Sequence, residues 1–184
     1  MTRNQGARLN ALFLCYSYNM NPVRIIGIDP GFDRLGVAVI DKQGTKETLI
    51  YSTSIITSRS DTFEDRIITI GNELEKILQT YAPSECVVEK LFFAKNQTTA
   101  IQVAEVRGVV LYVARKAGLS IYEYSPPQIK LAVTGYGKAT KQDVGMMVGK
   151  ILHLPPQAKQ LDDELDAIAI ALTHSAHRKT LLWK

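Results

Sequence analysis

Short apolar blocks dominate the first third of the chain, and helical spacing takes over afterwards. Val23, Ile25, Ile26 and Ile28 form a β-branched block that Pro30-Gly31 stop, which predicts a buried strand over Val23–Ile28. A second run, Leu35–Asp41, follows a short turn. A third, roughly Glu47–Ile56, follows Gln43-Gly44. Phe63, Ile67, Ile70, Leu74, Ile77 and Leu78 then fall on one helical face, with Ser60-Asp61 and Glu64 as the expected cap and Pro83 as the stop. Cys86-Val87-Val88 marks a strand over Glu85–Glu89. A helix is expected from about Thr98 to Lys116, with Gly118 past its end. Its apolar content around Val106–Val113 predicts cover on more than one side. Ser120–Tyr124 reads as a fifth strand, Pro126-Pro127 as the start of a short helix through Val133, and Gly135–Lys138 as a flexible basic loop. Thr140 caps a helix to about Leu152, Pro155-Pro156 interrupts, and a last helix spans about Leu161 to His177. The order βββαβαβααα predicts an α/β fold, a mixed five-stranded sheet with three antiparallel leading strands and helices on its faces.

Composition narrows this little. The 184 residues suffice for one domain with a real core, and 46% hydrophobic and 22% charged residues are ordinary for a globular chain. A net charge of +4 leans toward an anionic partner. Cys15 and Cys86 have neither disulfide-framework nor metal-ligand spacing, so a reducing, cytoplasmic setting is the simpler expectation. No run reaches the roughly 18 apolar residues of a membrane span. Residues 1–19 are expected to be a disordered extension or to follow a misassigned start, since Met20 stands just before the first strand. Residues 20–178 then form a single domain, and 179–184 a tail.

Acids punctuate the pattern. Asp29 and Glu89 each end a strand, and Asp163 and Asp166, three apart, share a face at the opening of the last helix. Each has a plain reading: acids in a first helical turn stabilise the helix dipole by roughly 0.3–1 kcal/mol, and strand-end acids can be surface residues. Asp29-x-Gly31 with Gly36 also resembles the phosphate loop of actin-like kinases, although the second such loop that fold needs is missing. If the three elements converge, the acids form one cluster, and the mutual repulsion favours hard divalent cations such as Mg²⁺ or Mn²⁺. Two such ions about 3.5–4 Å apart activate water and stabilise a leaving oxygen at a phosphodiester.

The motifs as a set are specific. Gly27-Ile28-Asp29-Pro30-Gly31, Val88-Glu89-Lys90-Leu91-Phe92-Phe93 with Asn96, Arg107-Gly108, Tyr124–Lys130 with Val133-Thr134-Gly135, and Asp163–Ala169 with Thr173-His174 resemble, in order, the RuvC family of Holliday-junction resolvases. The resemblance implies an RNase H-like nuclease domain and a homodimer. It also implies Mg²⁺-dependent symmetric nicking of four-way junction DNA in recombination and repair, and RuvA and RuvB as partners. By the same resemblance Asp29, Glu89, Asp163 and Asp166 are the metal-binding catalytic acids. Phe92 matches an aromatic inserted at the junction centre (its plain reading is core packing). Lys130 and Lys141 match basic residues near the scissile phosphates (otherwise solvated helix surface). Lys138, in the Gly135–Thr140 loop, is expected to contact DNA. The helix around Val106–Val113 is the expected two-fold interface. The turn Gly31–Gly36 departs from the commoner family wording, which bears on local DNA contacts. Asp33 reads as a turn residue there, and His174 as packing or helix-end charge and not a ligand.

Overall fold

A computed structural model describes residues 21–91, 97–154 and 162–181. Strands β1 (Val23–Asp29), β2 (Arg34–Gln43), β3 (Lys46–Ile56), β4 (Glu85–Glu89) and β5 (Ser120–Tyr124) form one sheet in the order β3-β2-β1-β4-β5. β1 and β3 both pair antiparallel with β2, while β4 pairs parallel with β1 and β5. The helices are α1 (Phe63–Tyr81), α2 (Gln97–Lys116), α3 (Pro126–Thr134), α4 (Lys141–Ile151) and α5 (Asp162–Leu181). This is the mixed, helix-flanked sheet expected from the pattern.

Because side chains alternate along a strand, each strand feeds two cores. Ile26, Ile28, Leu35, Val37, Val39 and Val88 face α1 and α2, against Ile70, Leu74, Val106 and Val110. Ile25, Ala38, Ile40 and Val87 face the other way, onto α3, α4 and the Ala167–Leu172 stretch of α5. The second face decides where the chemistry sits. Asp29 has the parity of Ile25 and Gly27, and Glu89 that of Val87. Both acids therefore point to the α5 side.

The helix α5 lies unusually close to the sheet. A Cβ on Gly27 would stand 2.3 Å from the Ala167 carbonyl oxygen, and one on Gly36 would stand 2.1 Å from that of Asp163. Only glycine permits this approach. The spacing that resembled a phosphate loop is thus half explained by packing: Gly36 makes room for the helix backbone.

Two local expectations change, and one helix face stays open. The cap of α1 is Thr62, whose hydroxyl accepts from the Asp65 amide at 3.2 Å. Ser60 and Asp61 are held in the preceding turn, where Ser60 Oγ meets Ser58 Oγ at 2.7 Å. The outer face of α2 is open, with Ile101 60% and Tyr112 66% exposed, while Val106, Val110, Val113 and Ala114 are buried and Val109 and Leu111 pack partly against the same core. Past the expected stop at His177, α5 runs one more turn to Leu181. That extension makes His174 a mid-helix residue, fully buried, with Nδ1 2.9 Å from Tyr124 Oη and Nε2 2.9 Å from Glu85 Oε2. Among the described residues, no helix is long and apolar enough to cross a membrane.

Candidate active site

Register brings the first two acids together. Ile28 is paired with Val88 across the parallel β1–β4 ladder, so Asp29 and Glu89 end neighbouring strands one step beyond that pair. The first turns of α5 pass over the same end of the sheet and carry Asp163 and Asp166. A cavity of about 190 Å³ opens there, lined by Asp29, Glu89 and Asp166 together with Lys130 of α3 and Lys141 of α4.

Asp163 stands on the β2–β3 side. Its Oδ2 accepts from Ser54 Oγ at 3.3 Å and lies 3.9 Å from Arg34 Nη1. Ser52, two residues back on β3, donates to Glu164 at 2.7 Å. Ser52 and Ser54 lie opposite Ala38 and Gly36 and share their face, so β3 presents a polar stripe that fixes the start of α5. Sequence reasoning gave these serines and Arg34 no role, although polar residues at alternate positions of β3 were the available signal.

The electrostatics are those of crowded carboxylates. Asp29 is pushed up to about 7, by burial first and then by Asp166, Glu89 and Asp163, with Lys141 opposing. Glu89 is raised by burial and by Asp166, with Lys130 opposing. Burial works against the charge on Lys141, but its 2.7 Å bond to Asp166 and the charges of Asp166, Asp162 and Asp163 outweigh it, so its pKa is raised. Three acids thus repel across one cavity and two ammonium groups offset part of that repulsion.

Hard carboxylate oxygens of this density suit Mg²⁺ or Mn²⁺. Among the described residues no three acid, histidine or cysteine side chains already form a cation cage. Lys141 instead holds Asp166. Carboxylate oxygens are the donor type such ions take, and Asp29 is raised by burial first and by the neighbouring acids second.

Of the expected DNA-contacting residues, Lys130 and Lys141 line the cavity. Lys138 lies in the exposed turn before α4 and Phe92 lies outside the described residues. Asp33 is a turn residue as expected, with the further role of pairing with Arg59 and Arg66.

Residues 25–174 match the family described as crossover junction endodeoxyribonuclease RuvC. The RuvC of Petrotoga mobilis is 44% identical over 156 residues, covering 85% of this chain and 95% of that protein. The RuvC of Thermotoga maritima is 36% identical over 156 residues, covering 85% and 92%. Among solved structures, T. thermophilus RuvC in complex with a Holliday junction substrate superposes with a TM-score of 0.80 at 34% identity, covering 86% of this chain and 96% of that one. The yeast mitochondrial Holliday junction resolvase shares the fold at a TM-score of 0.65 and 13% identity, covering 88% and 81%.

Proposed function

The chain belongs to the RuvC family of crossover junction endodeoxyribonucleases, and from that premise we propose that it resolves four-way DNA junctions by symmetric, Mg²⁺-dependent phosphodiester hydrolysis. One observation carries the reading. Acids from three separate elements, β1, β4 and α5, converge on one end of the sheet, where Asp29 is driven to about 7.

In this reading Asp29, Glu89, Asp163 and Asp166 would hold two divalent ions, which would supply an activated water and charge stabilisation for the leaving 3′-oxygen. The chain's own residues do the rest. Ser54 and Ser52 hold the start of α5, so Asp163 keeps its orientation toward the sheet. Lys141, beside Asp166, and Lys130, beside Glu89, supply positive charge where the scissile phosphate gathers negative charge. Lys138, on the exposed turn, serves a neighbouring phosphate by charge alone.

Two nicks in opposing strands require two such sites. The outer face of α2, with Ile101 and Tyr112 exposed three turns apart, supports a homodimer in which each protomer offers the same patch. A cytoplasmic setting and action with RuvA and RuvB rest on family membership.

The test is Asp29→Asn, measured on a synthetic four-way junction. Cleavage in Mg²⁺ should disappear while junction binding persists. Cleavage at the wild-type rate would refute the assignment.

A further inference from the structure

The acid cluster has positive charge on two sides, and the function proposed above uses only one. Lys130 and Lys141 stand on the α3–α4 side. Across the cluster stands Arg34, the first residue of β2. It has the parity of Gly36 and so faces α5, and its side chain is 54% exposed with Nη1 3.9 Å from Asp163. That distance is too long for a hydrogen bond. Asp163 is engaged by Ser54 instead.

The residue before it, Asp33, is bonded by two arginines. Arg66, 7% exposed, reaches Asp33 Oδ1 at 2.5 Å, and Arg59, 84% exposed, reaches Oδ2 at 2.8 Å. Arg66 is enclosed. Its guanidinium lies 3.5 Å over the Phe32 ring and donates to Thr57 Oγ1 at 2.8 Å and to the Phe32 carbonyl at 3.2 Å. One carboxylate therefore serves two guanidinium groups. The buried one neutralises it, and the exposed one remains as net positive charge beside the turn that carries Arg34. The Arg66 bonds and the Thr57 amide bond to the Asp33 carbonyl (3.2 Å) also fix the turn that carries both Asp33 and Arg34.

We propose that Arg34 and Arg59 form a second phosphate-binding flank, which holds the DNA backbone on the side of the cleavage point away from Lys130 and Lys141. This deepens the junction-nuclease reading and rests on it. The chemistry is that of the guanidinium fork, which meets the non-bridging oxygens of a phosphate in a bidentate pair where an ammonium acts as a point charge. The pinned turn lowers the ordering cost of that contact. The scissile phosphate is then gripped from both directions, and strain or misplacement of either neighbouring phosphate is resisted.

The test measures affinity for a synthetic four-way junction in Ca²⁺ across a KCl series, for wild type, Arg34→Gln with Arg59→Gln, and Arg34→Lys with Arg59→Lys. Each lost phosphate contact should lower the slope of log K on log salt by about 0.9, so the double Gln variant should lose about 1.8 and the double Lys variant should keep the wild-type slope. A Gln variant with the wild-type slope overturns the proposal, whatever its affinity. A second measurement needs no variant. Neutral methylphosphonate linkages placed singly along the cleaved strand should weaken wild-type binding on both sides of the cleavage point, and sensitivity on one side only also overturns it. If wild type binds junction and linear duplex alike, the junction-nuclease reading fails instead.

Discussion

Asp29 is where sequence, fold and chemistry meet. Its carboxyl titrates near 7, against an ordinary value of 3.8, because burial and three neighbouring acids disfavour its charge. Between those two values the folded chain keeps a proton that the unfolded chain releases. Stability without divalent ions therefore falls as pH climbs from about 4 through about 7, and the penalty is fully present above that. A cation that binds the ionised cluster relieves it, so the rise in melting temperature on adding Mg²⁺ should be larger at pH 8 than at pH 5.5; equal shifts in a thermal melt would contradict this. Lys141 works in the same direction as the cation, since its charge lowers the pKa of Asp29. Replacing it with Ala should cut kcat by about 10²-fold. It should also move the acid limb of the pH–activity profile to higher pH, which a pH series of cleavage rates reads directly. The acids themselves were legible from their places at strand and helix ends. The cations around Asp33 were not, because Arg66 is held in the interior by Phe32 and Asp33, more than thirty residues away in sequence, together with Thr57.

The seat of the site is the contact between α5 and the sheet. A methyl group at Gly36 would collide with the carbonyl of Asp163, a catalytic candidate, so Gly36→Ala should do two things. Stability should drop by about 1–3 kcal/mol as the helix is displaced, and cleavage should fall further than the loss of folded protein explains. Denaturant melts run beside rate measurements separate the two. The glycine pattern was visible in the sequence, but its meaning was not, since a phosphate loop and a helix seat both call for glycine after Asp29. Further along α5, His174 ties the helix to β4 and β5 through Glu85 and Tyr124, and Arg178 adds a 3.0 Å bond to the same Glu85. His174→Leu keeps the volume but takes away the partner of the Tyr124 hydroxyl, at about 1–3 kcal/mol, and leaves Glu85 with Arg178 alone. A melt that is unchanged would remove this network from the account. Helix α2 packs against both α1 and β5 and still leaves Ile101 and Tyr112 exposed.

The open face of α2 and the proposed two-sided grip on phosphate belong to the scale of the whole molecule. Tyr112→Glu puts a charge on the exposed patch and should yield monomers in sedimentation, with nicks on the two strands becoming independent. The fold class followed from hydrophobic order alone, because strands and helices with these periods have few ways to close a two-sided sheet. The dimer proposed from the open face of α2 did not, because an outward apolar face and a core face draw on the same residue types. The central claim is that this surface hydrolyses junction DNA with the acid cluster. It is tested most directly by mapping Mg²⁺-dependent cleavage on a four-way junction and on linear duplexes of its arms. Paired nicks at symmetric positions in opposing junction strands, with ligatable ends and intact duplexes, are the expected result. Equal cutting of the linear duplexes, or junction cutting without divalent ions, would contradict it.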